Sequence, residues 1–346
     1  MIRTVRALVC LLAAGVGLSG CSDPDAPSVV LYTSTDDAFA RAVVEAFETE
    51  TGVRVELVGD TEATKTTGLV TRLQAEAGSP RCDVWWSSEP LGTILLAESG
   101  VLEPGGMEGT VPADWPDELV GDGWDWVGFA ERGRVFVYAT DRVEEPPTTL
   151  AELTGPAWRG RVGMARPQFG TTRGHMALLH ARWGEARFSD WLGAMRENGV
   201  RLYDGNARVV RAVYEGEIDA GLTDTDDVWV AIANGWPVGM TWDAAPDGAD
   251  GRWPSPGPTT IPNTVGIIRG GPNPEHARTL AAFLVSERVE RLLAASDSRN
   301  IPVHADARAA FSELRPPEGG DRPDYRDAHA AVPAAMDACR RVLISP

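Results

Sequence analysis

Lysine is almost missing from this sequence. Lys65 is the only one, so nearly all of the 32 basic residues are arginine, set against 50 acidic residues and a net charge of −18. A chain this acidic repels a phosphate backbone, which argues against nucleic acid as a partner. No Gly-Lys pair is present to grip phosphates, so the chain is not a P-loop nucleotidase. It has no Gly-x-Ser-x-Gly elbow and no His-Glu-x-x-His pair, and His175 and His180 stand off a common helix face. Those absences remove the serine- and zinc-hydrolase motifs. Long apolar runs are missing after the first 20 residues, so nothing later reads as a membrane span. What is present is bulk: 346 residues, 43% hydrophobic, enough for a large core split between two lobes and too apolar for disorder.

The start of the chain predicts its location. Arg3 and Arg6 precede an apolar run over residues 7–18, the pattern of a secretory signal, which ends in Leu18-Ser19-Gly20-Cys21. Small residues before that cysteine resemble the bacterial lipobox. The expectation is a signal peptide over 1–20, removed on export, with Cys21 lipidated as the first mature residue and anchoring the protein to a membrane. Residues 21–28 then form a polar, proline-containing tether, and the fold begins near Val29, outside the cytoplasm. Of the four cysteines only Cys82 and Cys339 belong to the mature fold. An oxidising compartment allows them to pair; the usual burial of cysteine favours two free thiols instead.

The interior alternates strands and helices. Val29, Val30 and Leu31 lead to Thr33-Ser34-Thr35 and then to Phe39, Val43 and Phe47 at helical spacing. Val53, Val55 and Leu57 alternate with charged residues as a second strand, followed by a helix through Leu69, Val70 and Leu73. Asp83-Val84-Trp85-Trp86 is a third strand closing at Ser87-Ser88-Glu89, with core packing expected for both tryptophans. A second series carries strands at 134–139, 162–164, 201–203, 220–222 and 265–268. Its helices fall near 150–153, from 171 through 179, at 188–195, around 209–214, at 226–233 and over 274–295. This is an α/β chain of two doubly wound lobes. In such sheets ligands sit beyond the carboxyl ends of the strands.

Particular phrases resemble a known family. Asp-Thr-Glu-Ala-Thr-Lys-Thr-Thr-Gly-Leu at 60–69 and Asp-Val-Trp-Trp-Ser-Ser-Glu-Pro at 83–90 are similar to the first lobe of the solute-binding proteins of ferric-iron ABC importers. Gly-Leu-Thr-Asp-Thr-Asp-Asp-Val-Trp at 221–229 and Ile-Pro-Asn-Thr-Val at 261–265 are similar to later parts of it. The resemblance implies a type II periplasmic-binding-protein fold, hinged by crossing strands at 134–139 and 264–268. It implies lobe 1 over 29–131 with 263–298, and lobe 2 over 132–262 with 299–346. It further implies a receptor, not an enzyme, that needs no cofactor. The receptor would pass iron(III) or another metal to a membrane permease driven by a separate ATPase. Ferric binders of the family usually place adjacent tyrosines in the loop that here reads Thr223-Asp224-Thr225-Asp226-Asp227. This chain has no tyrosine pair; Tyr32, Tyr138, Tyr203, Tyr214 and Tyr325 are scattered. Relatives that bind 2-aminoethylphosphonate, thiamine or polyamines keep a small zwitterion or anion open as the ligand.

Candidate ligand residues lie in the loops at strand ends: Thr33, Ser34, Thr35, Asp36, Thr61, Glu62, Ser87, Ser88, Glu89, Thr171, Thr172, Arg173, Asn206, Thr223, Thr225 and Asn263. Those beside helix N-termini suit an anion, and Arg173 could fork onto two oxygens. Asp224 and Asp226 suit a hard cation. Ser, Thr and Asp at such positions are also ordinary helix caps. The acids leave an extracytoplasmic hydrolase as a distant alternative.

Overall fold

The computed structural model describes residues 26–60, 66–244, 251–319 and 322–344. The signal peptide, Cys21, most of the tether, Thr61, Glu62 and Lys65 lie outside the described residues. Among those described, no helix is long and apolar enough to cross a membrane.

The first three βα units form as their periodicity predicts. Strands β1 (Ser28–Thr33), β2 (Arg54–Gly59) and β3 (Val84–Ser87) pair in parallel in the order β2-β1-β3. Helices α1 (Asp37–Thr51), α2 (Thr67–Ala75) and α3 (Pro90–Glu98) follow them in turn. Gly52 ends α1 in the left-handed conformation, φ 71°, which glycine adopts without a Cβ clash. Adjacent residues on β3 point to opposite faces of the sheet. Trp85 and Trp86 therefore enter two different cores, and both are fully buried.

Two long strands join the halves of the sheet: β4 (Val127–Ala139) and β9 (Thr259–Ile267). They pair antiparallel from Val127↔Val265 to Arg134↔Thr259, with a register shift between Phe129 and Arg132. Residues 264–267 of β9 pair with β3, while residues 134–138 of β4 pair with β7 (Ala220–Asp224). The stretch between those pairings is the passage from one half to the other. It lies near 129–133 and 259–263, beside the crossings that the resemblance implied at 134–139 and 264–268. The expected strand at 134–139 is only the apolar end of β4. Its first half carries Glu131, Arg132 and two glycines, which do not read as a buried strand although all are buried.

The second half-sheet continues through β5 (Val162–Ala165) and β6 (Arg201–Tyr203), both parallel to their neighbours, while β8 (Val238–Trp242) pairs with β4. Strand β8 has no counterpart in the sequence reading. Helices α4 (Gly170–Glu197), α5 (Asn206–Tyr214) and α6 (Thr225–Ala233) flank this half. The two helices expected at 171–195 are both present, run together as α4 across a kink at Gly184, whose φ 74° and ψ 164° are not helical. The expected helix at 150–153 is a single 3₁₀ turn, Glu152–Thr154. The span 274–295 divides into α7 (Pro274–Leu284) and α8 (Glu287–Ala295), because Ser286 is an N-cap whose side chain accepts from the Val289 N–H. Helix α9 (Ala305–Ala310) and α10 (Tyr325–Cys339) follow, and α10 packs along α4 and α3. Cys82 and Cys339 are both buried free thiols. Burial pushes the Cys339 thiol up to about 12.

Candidate functional site

A cavity of about 110 Å³ opens where the two half-sheets meet. One wall carries Thr35, Asp36, Ser88, Ser298 and Asn300; the other carries Thr171, Thr172, Asn206, Asp226 and Asp227; Arg132, Asp224 and Asn263 lie between. The first turns of α4, α5 and α6 all face it. The N-cap residues of these three helices make no side-chain cap hydrogen bond, and although in α6 the Asp227 N–H donates to Asp226 Oδ1 at 3.1 Å, the starts of α4 and α5 present partial positive charge.

Asp224 is the most heavily bonded group at the cavity. Its Oδ1 accepts from Arg134 Nη1 at 2.9 Å, and its Oδ2 from Thr171 Oγ1 at 2.6 Å, Asn206 Nδ2 at 2.9 Å and Arg132 Nε at 3.4 Å. Burial pushes its carboxyl up, but Arg134, Arg132 and the Thr171 hydroxyl outweigh that and hold it below the usual carboxylate range. Arg134 also donates to Thr172 and Asn206. Arg132 is buried, which opposes its charge. Asp226, Asp224, Asp227 and Asp36 more than compensate and hold its pKa above the usual arginine value. The Arg132 to Asp226 distance is 3.5 Å. Asp226 and Asp227 are partly exposed, and one carboxylate oxygen from each of Asp224, Asp226 and Asp227 lies within 4.8 Å of the other two.

The remaining residues expected from the sequence divide between cavity wall and scaffold. Thr35, Asp36, Ser88, Thr171, Thr172, Asn206 and Asn263 reach the cavity. Ser34 lies behind the wall, where its Oγ accepts from the Ser88 N–H at 3.0 Å. Thr33 accepts from the Thr35 N–H at 3.0 Å, and Ser87 donates to the Glu89 carbonyl. Glu89 is a helix cap: its carboxylate accepts from the Leu91 and Gly92 N–H groups at the start of α3. Burial raises its pKa despite Arg173 and those donors. Arg173 acts on Glu89 and does not line the cavity. Thr223 donates to Asp227 at 3.2 Å, and Thr225 accepts from the Gly133 N–H at 3.0 Å. These two position the aspartate loop and do not themselves line the cavity.

The sequence reading missed Arg132, Arg134, Ser298 and Asn300 as site residues. The two arginines flank Gly133 inside a buried strand, and an Arg-Gly-Arg step there is the signal that the strand must meet buried acids. Ser298 and Asn300 come from a loop after α8 that has no periodicity to flag it.

This layout can be compared with known proteins. Residues 42–317 match the family described as bacterial extracellular solute-binding protein. The chain belongs to this family. The solute-binding protein is 28% identical over 293 residues to the major ferric iron-binding protein of Neisseria meningitidis serogroup B, covering 82% of this chain and 83% of that one. It is 28% identical over 325 residues to iron uptake protein A1 of Synechocystis, covering 86% of each. Among solved structures it is similar to iron-bound HitA from Pseudomonas aeruginosa, with a TM-score of 0.75, 25% identity, and coverage of 90% of this chain and 99% of that one. The fold is that of the type II periplasmic binding proteins, as the resemblance implied.

Proposed function

We propose that this solute-binding protein is the capture component of an ABC importer and that its cargo is ferric ion held together with a small oxyanion. One observation carries the reading: three aspartates group their oxygens within 4.8 Å at a cavity whose neighbouring wall is built from helix N-termini. Carboxylate oxygens suit a hard trivalent ion, and uncapped N–H groups suit its anionic partner. In this arrangement Asp226 and Asp227 stand in for the absent tyrosine pair. Asp224, tied to Arg134, contributes charge and holds the loop, and Asp36 faces them from the opposite wall. The relatives named as iron-binding support the metal. A second reading, a phosphonate or similar small anion without metal, is favoured by the buried Arg132 beside those same helix starts.

Native mass spectrometry with elemental analysis of the mature protein, offered ferric citrate and then 2-aminoethylphosphonate, separates the two. Ferric binding should be lost in Asp226→Asn with Asp227→Asn. Retention of the phosphonate alone would replace the metal reading. The delivery partners in this proposal are a permease and a separate ATPase. The location is extracytoplasmic, with lipid on Cys21; Cys21→Ser should abolish lipid modification, and unchanged mass and membrane fractionation would refute the anchor.

A further inference from the structure

Arg134 connects the aspartate loop to a second, smaller cavity. Its Nη1 bonds Asp224 and its Nη2 bonds Thr172 at the cargo cavity, but Arg134 itself lines a separate space of about 10 Å³, together with His175 and Asp243. That is about the room one water molecule needs. His175 lies on α4 three and four residues after Thr172 and Thr171, one turn further along the helix face that meets Arg134 and Asp224. Asp243 follows β8, and its Oδ1 accepts from the Ser255 hydroxyl at 2.6 Å. The rest of the wall is apolar except for Thr259.

Three buried polar atoms indicate what this cavity takes. Arg134 Nε, His175 Nδ1 and Asp243 Oδ2 have no hydrogen-bond partner among the described residues, and the three residues are only 3%, 4% and 6% exposed. Buried polar groups are rarely left unpaired, and three of them around one water-sized space are satisfied together by a single water. That water would accept from the Arg134 Nε–H and donate to Asp243 Oδ2 and His175 Nδ1, three bonds in all, the usual complement of a buried water. His175 accepts in its neutral Nε2–H form. Burial, with Arg134 and Arg182 nearby, holds its imidazole well below its ordinary value.

We infer that this cavity binds one water molecule and that Asp243 is a positioning residue of the cargo site, acting through that water and Arg134 on Asp224. The charged and titratable groups around Asp243 are Arg134 on β4, His175 on α4 and Glu152 on the 3₁₀ turn. Its carboxyl is raised to about 7, so its charge changes near neutral pH. Ionised, Asp243 sets a counter-charge beside Arg134 and lowers the positive potential that this arginine casts on the aspartate loop. Protonated, it donates to the same water and the counter-charge is gone. The inference rests on the larger cavity being the cargo site, not on which cargo fills it.

The first test is a crystal structure of the mature protein at a resolution that shows ordered water. One water within hydrogen-bond distance of Arg134 Nε, His175 Nδ1 and Asp243 Oδ2 is expected. No density there, or a direct bond from Arg134 to Asp243, would overturn the inference. The second test compares wild type with Asp243→Asn, whose amide has the shape of the neutral acid. Ferric affinity is read by competition with citrate at pH 6 and pH 8, and the ratio between the two proteins cancels the pH dependence of ferric ion and citrate themselves. That ratio should be near one at pH 6. At pH 8 wild type should bind ferric ion about twofold to tenfold more tightly, because only its Asp243 is charged. A ratio of one at both pH values, or the same shift at both, would leave Asp243 a purely structural residue and overturn its positioning role. If wild type retains no ferric ion, the metal reading fails and methylphosphonate becomes the probe, with wild type now the weaker binder at pH 8. If neither probe binds, the positioning role falls with the cargo-site reading, and the density alone decides the water.

Discussion

Replacing Asp224 by alanine separates the structural role of the aspartate loop from its binding role. Asp224 is 2% exposed, and its side chain satisfies two guanidinium groups, a hydroxyl and an amide. Among the described residues, removing it leaves Arg134 donating only to Asn206 and Thr172, and Arg132 facing Asp226 and the Ser88 carbonyl. Breaking a buried pair in this way costs about 3–5 kcal/mol, because the stranded charge loses its compensation. Asp226 is different: it is partly exposed, its Arg132 contact is 3.5 Å, and without it Arg132 still keeps Asp224, so Asp226→Ala should cost less than Asp224→Ala. Equilibrium urea unfolding of cargo-free protein at pH 7, followed by tryptophan fluorescence, measures both. The same pairing sets an acid limit. A carboxyl held below its unfolded value, about 3.9, contributes stability that is present above that pH and lost as pH falls through the lower folded value. Asp224→Ala should therefore lose the part of the acid transition below pH 4 that this group supplies. An Asp224→Ala protein within about 1 kcal/mol of wild type, or less destabilised than Asp226→Ala, would refute the reasoning.

Other consequences are as direct. Burial raises the Asp243 carboxyl to about 7, with the Ser255 hydroxyl opposing and Glu152 adding repulsion, and its Oδ2 has no hydrogen-bond partner among the described residues. An acid raised on folding stabilises below its unfolded pKa and loses that advantage as pH rises to 7, worth up to about 4 kcal/mol. Asp243→Asn should flatten the pH 4–8 stability profile and gain most at pH 8; an unchanged slope would exclude Asp243 as its source. A Cβ on Gly133 would meet the Trp242 ring at 1.9 Å, so Gly133→Ala should cost about 1–3 kcal/mol in thermal or urea unfolding, and a neutral result would show that Trp242 moves freely. Thiol titration should find Cys82 and Cys339 unreactive in the folded protein and both free after denaturation; a count of zero in unreduced, denatured protein would show that they are paired.

The sequence by itself determined the order of strands and helices wherever a face is plainly apolar. It was enough for the first three βα units, the apolar half of β4 and the helices around Val209 and Val228. It also marked the aspartate loop as a candidate, since three acids follow one strand end, although Asp there is also an ordinary helix cap. Tertiary structure decided which of the polar loop residues face the cavity. Ser34, Ser87 and Glu89 look like Thr35 and Ser88 in sequence, but their oxygens are spent on neighbouring backbone and hydroxyl groups. It also decided that Asp224 is a counter-ion to Arg132 and Arg134, residues 92 and 90 positions away in the chain. Periodicity reports which face of an element is apolar, whereas a charge buried in a strand is tolerated only because a distant acid arrives beside it. That pairing exists only once β4 and β7 are side by side.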